Sequence, residues 1–350
     1  MNMYEYIGAA HMHSTFSDGT GDVPDIAKFA DEVGLDFILL TDHNTLRALN
    51  EGYEKWYGNT LLLVGCELND KENKNHYLAF GINEAFTTRT PAKKYVAKVK
   101  ELGGIGFLAH PHEKRKHKEH PAYPWTEWDT EDFTGIEIWN HMSEWVENLT
   151  EENKYRSFLH PLRTIIAPPK ETLKVWDELS QKRKVVGIGG IDAHAHKYNL
   201  VGFLEVEIFP YKVLFKSIRT HILVDELIKK GKSAKEIETA KKQVYAALQN
   251  GRCFIANDYV AESKGFRFFA QHNGKHYQMG ETIPESKNVT LKVLLPGIKA
   301  EIKLLRNGNV IETEKGIDSE FEVNKKGVYR VEVYFENRAW IYSNHIRVNI

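Results

Sequence analysis

The sequence is poor in cysteine and lacks a long apolar run. Cys66 and Cys253 are its only cysteines in 350 residues, which excludes a disulfide-stabilised scaffold. A chain this poor in cysteine suits a reducing compartment, so we expect a cytoplasmic protein. No apolar stretch has the length of a membrane-spanning helix. His11 comes too early to leave room for the apolar region of a secretory signal peptide.

The sequence also lacks an excess of charge of either sign. Lysine plus arginine number 47 and aspartate plus glutamate number 48, so the formal net charge is −1. A protein that follows a long nucleic-acid strand needs a basic stripe, and this balance argues against such a partner. The charge balance does not exclude a substrate the size of a nucleotide.

Short apolar runs alternate with amphipathic stretches from residue 4 to about 258, which is typical of βα units and a parallel sheet. The spacing predicts helices over 23–33, 91–102 and 233–248. After about Lys264 the helical period is lost, and Asn-Gly pairs at 273–274 and 307–308 indicate hairpins. We therefore predict a large α/β domain over 1–260 and a small all-β sandwich of about seven strands over 261–350.

Two histidines stand at the end of the first apolar run. His11 and His13 are two residues apart, so their side chains leave a strand on the same side. Asp18 follows in a loop that the Asp18-Gly19 pair favours. Imidazole and carboxylate groups together suit zinc, manganese or iron. This segment predicts one wall of a metal site.

Four further apolar runs end in the same kinds of side chain. In an α/β barrel the carboxyl ends of the strands meet at one face, so we expect these side chains to converge on one pocket. His76 joins them on position alone, because it follows Glu67 at the start of a probable strand. The candidate metal ligands are His11, His13, Asp18, His43, Glu67, His76, His110, Asp192 and His194.

Five motifs together resemble the polymerase-and-histidinol-phosphatase (PHP) superfamily. They are H-x-H-S-x-x-S-D-G from His11, T-D-H-N from Thr41, G-x-E from Gly65, A-H-P-H from Ala109 and G-x-D-A-H from Gly190. The region around Asn250-Gly251-Arg252 and the β-rich end look most like the CehA/McbA-like branch. The resemblance implies a distorted (β/α)7 barrel followed by an immunoglobulin-like sandwich.

The resemblance also implies two to three divalent ions of manganese, iron or zinc. His11, His13, Glu67 and Asp192 would bind one ion, Glu67, His76 and His110 a second, and Asp18, His43 and His194 a third. Glu67 would then bridge two ions. A bridging carboxylate is physically reasonable, because closely spaced cations repel each other unless anionic charge lies between them.

The function implied by the resemblance is hydrolysis of a phosphoester by water that the metal ions activate. The expected substrate is a small anionic molecule, either a phosphomonoester or a small phosphodiester such as a nucleotide or sugar phosphate. The CehA/McbA-like branch also includes carbamate and carboxyl-ester hydrolases, which gives an alternative reaction at the same metals. A non-catalytic, metal-stabilised binding module is the third hypothesis. We expect the β-sandwich to serve packing or homo-oligomer assembly.

Catalytic roles are expected for Asp192, His194 and Glu67 at the metals. His112 is a candidate proton donor to the leaving group, with a solvated loop histidine as the alternative. Asp42 has two interpretations, an acceptor that orients a neighbouring histidine or an ordinary turn residue.

Three residues are candidates for substrate binding. Arg252 would clamp a phosphate or serve as a structural arginine at a helix end. Arg115 lies in the charged run 113–120, which is either the rim of a basic pocket or a solvated face. Asn140, followed by His141, comes at the end of the strand-like run 135–139 and would lie near the pocket.

Two further observations bear on the bond that is broken. Arg115 and Arg252 favour a phosphate, whereas an apolar pocket built from Trp125, Trp128 and Trp139 would favour a carbamate or ester. Cys66 precedes Glu67, and strand alternation points its thiol away from the site. We therefore interpret Cys66 as a buried apolar residue and not as a nucleophile.

Overall fold

The computed structural model describes residues 3–86, 90–115, 121–199, 205–284 and 288–349. Its first twelve strands are β1 (Tyr4–Ala10), β2 (Phe37–Leu40), β3 (Lys55–Tyr57), β4 (Thr60–Leu68), β5 (Tyr77–Phe80), β6 (Ile105–Leu108), β7 (Gly135–Asn140), β8 (Val186–Gly190), β9 (Lys197–Asn199), β10 (Glu205–Glu207), β11 (Ile218–Val224) and β12 (Cys253–Asn257). The remaining strands are β13 (Arg267–His272), β14 (Lys275–Gln278), β15 (Thr282–Ile283), β16 (Val289–Leu294), β17 (Ala300–Arg306), β18 (Asn309–Gly316), β19 (Asp318–Val323), β20 (Gly327–Phe335), β21 (Arg338–Ser343) and β22 (Ile346–Val348).

The helices are α1 (Val23–Glu32), α2 (Arg47–Asn50), α3 (Ala92–Glu101), α4 (His141–Glu147), α5 (Lys154–Leu159), α6 (Lys170–Lys182), α7 (Tyr211–Leu214) and α8 (Ala234–Asn250), with a 3-10 turn at Pro161–Thr164. The three helices that the spacing predicts are confirmed as α1, α3 and α8. Ser233 and Glu236 form a capping box at the start of α8, and Gly251 ends it with a φ of 73°. Within the described ranges, no helix is both long and apolar enough to cross a membrane.

Seven consecutive strands have the order β1-β2-β4-β5-β6-β7-β8, and all of them except β7 carry predicted ligands at one edge. The β1-β2, β2-β4, β6-β7 and β7-β8 pairs are parallel, as expected. The expectation of parallel strands from residue 4 to about 258 is wrong at β5, which runs antiparallel to both β4 and β6. It is also wrong at β11, which runs antiparallel to both β1 and β12. The end of β8 lies beside the end of β1, because Ile191 N donates to Ala10 O at 3.0 Å and Met12 forms a β-bridge with Ala193.

The antiparallel direction of β5 matters for the site. Tyr77 pairs with Leu68 at the end of β4 and with Leu108 at the end of β6. The start of β5 therefore lies at the same edge as the ends of its parallel neighbours. His76, just before β5, reaches that edge through the start of a strand instead of its end.

The carboxyl-terminal part is rich in β-structure, as predicted, with ten strands from β13 to β22 in place of about seven. Six of these strands belong to the same sheet as β1, because β12 pairs with β21. They are β15, β17, β18, β20, β21 and β22. The second sheet has the order β14-β13-β16-β19. Leu223 of β11 and Phe254 of β12 share a buried core with Phe268 and Val331. The domain boundary at 260/261 stays a prediction.

A buried ion pair also joins the two parts. Arg330 on β20 is 2% exposed and donates from Nε and Nη2 to the two carboxylate oxygens of Asp177 on α6, at 2.7 and 2.8 Å. His345 Nε2 lies 2.8 Å from the same carboxylate. Burial favours the uncharged form of an acid, but Arg330 outweighs burial and lowers the pKa of Asp177.

Candidate metal centre

The strand edge brings all nine predicted ligands into one region. His11 and His13 follow β1, His43 follows β2, Glu67 lies near the end of β4, His76 precedes β5, His110 follows β6, and Asp192 and His194 follow β8. Isolated bridges between Met12 and Ala193 and between His43 and Glu67 hold these ends side by side. Asp18 arrives on the loop after His13, and its carboxylate lies 3.3 Å from His194 Nε2.

Glu67 is at the centre of the arrangement. Its side chain is 1% exposed. Its two oxygens are approached by ring nitrogens of His76 at 2.6 Å, His11 at 3.0 Å, His13 at 3.1 Å, His110 at 3.3 Å and His43 at 3.5 Å. Five imidazoles are more than the roughly four acceptor sites of one carboxylate can serve.

The donors form three overlapping groups, each with ligand atoms within 4.8 Å of one another. The groups are His11, His13, Glu67 and Asp192; His13, Asp18, His43 and His194; and His43, Glu67 and His76. The first matches the set that the resemblance implies, the second adds His13, and the third has His43 in place of His110. Mixed imidazole and carboxylate donors suit divalent transition metals such as zinc, manganese and iron.

Several ring nitrogens of the candidate ligands are buried without a hydrogen-bond partner. They are Nδ1 of His13, Nε2 of His76, Nδ1 of His110 and Nε2 of His13, which lies near the Glu67 carboxylate without hydrogen-bonding geometry. Buried polar atoms in folded proteins are almost always partnered, so four unpartnered nitrogens in one place require an explanation. A divalent cation satisfies them directly, and the residues present therefore fit a metal centre.

Backbone strain is concentrated at the same residues. His11, His110 and Asp192 have φ values of 66°, 26° and 54°. Residues with a side chain rarely adopt this region, and each instance costs free energy that the surrounding structure must offset. Three strained ligand positions indicate that the fold imposes these orientations.

Burial and charge oppose each other in the cluster. Burial alone would lower the pKa of His11 and of His13, but the carboxylates of Glu67 and Asp192 outweigh it. The pKa of His11 rises well above its usual range, and the pKa of His13 rises to about 10. Burial would raise the pKa of Glu67 and of Asp192, but the surrounding imidazoles lower both well below their usual range. Both acids are therefore anionic ligands at neutral pH.

The pKa of His43 shifts in the opposite direction to the pKa values of His11 and His13. Burial lowers its pKa to about 4, and the charge of Glu67 only partly offsets this effect. His43 is therefore neutral at pH 7, which is the form that binds a metal.

Glu137 belongs to the metal-ligand cluster, although the sequence motifs do not predict it. Its Oε1 lies 2.8 Å from His11 Nδ1, and its Oε2 accepts from His110 N at 2.8 Å. Any side chain at Gly190 would strike it, because a Cβ there would lie 1.8 Å from Glu137 Oε1. Glu137 thus fixes the orientation of two ligands. The sequence feature that could have indicated this role is a carboxylate inside the otherwise apolar run of β7.

Within the described part of the chain, the hydrogen-bond partners of the Asp42 carboxylate are serines and not a histidine. Its Oδ1 accepts from Ser14 N and Ser17 Oγ, both at 2.7 Å, and its Oδ2 accepts from Ser14 Oγ at 2.7 Å. The carboxylate therefore holds the loop that carries Asp18. Cys66 is buried in the core beside Ala79, as interpreted from the sequence.

Two predicted substrate or proton-transfer residues point elsewhere. His112 does not line the cavity of the metal donors; its Nδ1 lies 3.0 Å from Thr172 Oγ1 and its ring stacks on Trp128. Arg252 lies on another face, where it pairs with Asp225 and, at 3.1 Å, with Glu281. Arg252 is thus the structural arginine at a helix end, because the turn after α8 directs it to these acids.

Asn140 supports the site from behind, whereas His141 does not. Asn140 Nδ2 donates to Glu137 Oε2 at 2.9 Å, and its Oδ1 caps α4 by accepting from Ser143 N at 2.8 Å. Neither Asn140 nor His141 lines the cavity. His141 Nδ1 instead lies 2.8 Å from Ser217 Oγ.

The described residues of the charged run 113–120 have different surroundings. Lys114 is exposed and pairs with Glu171 at 2.6 Å, so it belongs to a solvated face. Arg115 is buried against Glu113 and Tyr123 and lines the cavity. Residues 116–120 lie outside the described part of the chain.

The candidate ligands open into a cavity of about 510 Å³. Arg115 is the one lysine or arginine among the described residues that line it. Trp125 and Trp139 belong to the core instead, and Trp128 covers His112. The predicted tryptophan pocket is therefore wrong. A different apolar wall lines the cavity: Met142, Trp145, Val146, Leu149, Phe158, Ile208 and Phe209.

Comparison with known proteins bears on the amino-terminal part of the chain. Residues 9–107 match the PHP domain family. Over 99 residues the chain is 28% identical to an uncharacterized protein of Methanocaldococcus jannaschii, a match that covers 28% of this chain. The matched segment spans 56% of that relative's length. The resemblance to PHP domains is thus supported here, while the CehA/McbA-like branch stays a prediction.

Two solved structures are also similar. One is a two-domain protein of Bacteroides vulgatus containing a predicted PHP-like metal-dependent phosphoesterase, 16% identical with a TM-score of 0.45, covering 98% of this chain and 95% of that one. The other is an amidohydrolase of Chromobacterium violaceum, 12% identical with a TM-score of 0.33, covering 58% of this chain and 92% of that one.

Metal binding is expected to release protons. Without metal, His13 and His110 have pKa values of about 10 and about 9, because nearby carboxylates outweigh burial, so both are protonated at pH 7. A metal ion must displace these protons, so its affinity should rise with pH and fall as the pH is lowered. Titration calorimetry with Mn²⁺ in buffers of different ionisation enthalpy should show about one or more protons released per chain. A pH-independent affinity without proton release would contradict this prediction.

Glu137→Gln should weaken Mn²⁺ binding by about 10- to 100-fold, because it removes the charge that orients His11. The matched control is Glu144→Gln, another buried glutamate, whose pKa burial raises to about 7 and which contacts no candidate ligand. Affinity is measured by competition with a chromophoric chelator, and folding by circular dichroism. Equal affinities in the two folded variants would show that Glu137 does not orient a ligand.

Proposed function

We propose that this chain is a PHP-type metal-dependent phosphoesterase that uses two to three divalent ions. The observation that carries the proposal is the convergence of five imidazoles on the buried carboxylate of Glu67. The PHP match over 9–107 and the three overlapping donor groups support it. The substrate class is a phosphomonoester or small phosphodiester.

The residues present suggest how the ions would be held. His11, His13, Glu67 and Asp192 form the most buried donor group and are the candidates for one ion. Glu67 also belongs to the group of His43 and His76, which makes it the candidate bridge to a second ion. Bound ions would polarise the phosphoryl group and activate water. Asp192 and His194, with Asp18, would complete the wall that faces the cavity.

Arg115 is the candidate phosphate-binding side chain. It lines the cavity, and its Nε is buried without a hydrogen-bond partner. Its guanidinium is paired with the buried Glu113 and lies 5.5 Å from the centre of the Tyr123 ring. A guanidinium can donate two parallel hydrogen bonds to phosphate oxygens, so Arg115 is suited to orient an anionic substrate.

A specific observation favours a second candidate reaction. The apolar wall of the cavity suits an uncharged ester or carbamate, whose carbonyl would take the place of the phosphoryl group. We therefore retain metal-dependent carbamate or carboxyl-ester hydrolysis as the alternative. The presence of Arg115 beside the donors is the reason for ranking the phosphoester first.

The test is hydrolysis of three matched substrates. They are p-nitrophenyl phosphate, the diester bis(p-nitrophenyl) phosphate and p-nitrophenyl N-methylcarbamate. Protein reconstituted with Mn²⁺ or Zn²⁺ should hydrolyse a phosphoester, and a chelator should abolish turnover. Asp192→Ala should lower the rate at least about 100-fold, because it removes a buried ligand. The matched control, Asp129→Ala, alters a carboxylate that is 74% exposed and should retain activity.

The outcomes separate the hypotheses. Turnover of the carbamate alone would establish the alternative reaction. Phosphoester turnover unaffected by Asp192→Ala in a folded protein would contradict the proposed site. Tight metal binding without turnover of any substrate would favour the non-catalytic binding module.

A further inference from the structure

The cavity has two chemically different kinds of lining. The strand edge supplies imidazoles and carboxylates, while α4, α5 and the segment before α7 supply the apolar wall. This apolar wall consists of Met142, Trp145, Val146, Leu149, Phe158, Ile208 and Phe209. A hydrolytic site needs the first lining for the reacting group. The second lining is available for whatever group the substrate carries beside it.

The centre of the apolar wall is an aromatic cluster. The Trp145 ring lies 5.0 Å from that of Phe158 and 4.7 Å from that of Phe209, which it meets edge to face. The indole Nε1, which is the one polar atom of the Trp145 side chain, donates to Ser157 O at 3.1 Å. Its hydrogen-bonding capacity is therefore used within the protein, and the cluster offers the cavity an apolar surface.

Phe209 occupies a strained backbone position. Its φ is 57°, which a bulky residue rarely adopts, and its side chain is buried at 7% exposure. The preceding residue is fixed by a hydrogen bond from Ile208 N to His196 O at 2.7 Å. The fold thus maintains an unfavourable conformation that places an aromatic side chain at this cavity, and such strain is common where a ligand is held.

The polar side chains of the lining lie away from the apolar wall. Tyr123 and His196 stack on the candidate ligands His76 and His194. Asn44, Asn69 and Asn73 bond to one another, with Asn69 Nδ2 donating to Asn73 Oδ1 at 2.9 Å. The apolar wall contributes no hydroxyl, amide or charged group. A sugar in contact with this wall would lose hydrogen bonds to water without replacing them, which is costly.

We infer that the substrate's organic group is an apolar alkyl or aryl group that contacts the Trp145–Phe158–Phe209 cluster, and not a sugar. This inference rests on the proposed function, because the candidate metal centre is what places the phosphate at the other side of the cavity. The cavity volume of about 510 Å³ is large enough for a ligand with an apolar group of this kind. Phe158 and Met142 are then specificity-determining residues.

The experiment compares phosphomonoesters of primary alcohols, so that the bond broken is the same. The substrates are hexyl phosphate, glycerol 3-phosphate and glucose 6-phosphate, with the full chain loaded with Mn²⁺. The kcat/KM for hexyl phosphate should exceed that for the two polar esters at least about tenfold. Calorimetry supplies a readout without turnover: hexylphosphonate should bind at least about tenfold more tightly than methylphosphonate.

Two substitutions on the same helix give the matched pair. Phe158→Gln places a polar group on the apolar wall and should reduce the hexyl-to-methyl affinity ratio at least about fivefold. Tyr155→Gln alters a side chain that is 62% exposed and outside the cavity lining, and should leave the ratio unchanged. Met142→Gln, which keeps the side-chain length, tests the same wall if Phe158→Gln does not fold.

The results distinguish the two claims. Turnover that favours glucose 6-phosphate or glycerol 3-phosphate would overturn this inference and leave the phosphoesterase proposal standing. Equal affinity ratios in the folded Phe158→Gln and Tyr155→Gln variants would also overturn it. Selective binding of hexylphosphonate without hydrolysis of any phosphoester would support the apolar wall and contradict the phosphoesterase proposal.

Discussion

Five imidazole nitrogens lie within 3.5 Å of the buried carboxylate of Glu67, and the rest of the site is arranged around this contact. An unpaired buried carboxylate would be strongly destabilising, so the charge needs partners. Protonated imidazoles supply them in the absence of metal, and divalent ions can replace those protons. The same electrostatic demand thus links the stability of the strand edge to its capacity to bind metal.

The fold meets this demand by bringing many strand ends to one edge. Parallel strands contribute donors from their carboxyl ends, and antiparallel β5 contributes His76 from its start. Glu137 and Asn140 then fix the ligands from behind, and Asp42 holds the loop of Asp18. The positive φ values of His11, His110 and Asp192 indicate that these supports determine side-chain direction against local backbone preference.

Much of this arrangement is predictable from short motifs, because donors that follow apolar runs must meet at one edge of a sheet. The nine predicted ligands do lie together for that reason. Residues whose role depends on side-chain direction were less predictable. His112 is only two residues from His110 yet turns to Thr172, and Arg252 turns to Asp225. Neither direction is encoded in spacing alone.

Tertiary packing accounts for the remaining differences. Trp125 and Trp139 are buried in the core and Trp128 stacks on His112. Trp145 on α4 instead lines the cavity, where Phe158 of α5 and Phe209 pack around it. The pairing of β12 with β21 likewise depends on long-range contacts, and a change of composition near residue 260 could not reveal that the sheet continues.

The most direct test of the central claim is the metal content of the purified chain, determined by elemental analysis beside a folded Glu67→Gln variant. The account predicts two to three equivalents of manganese, iron or zinc in the wild-type chain and a loss of about one or more equivalents in the variant, because the bridging charge is removed. A wild-type chain that binds none of these metals after reconstitution would contradict the account.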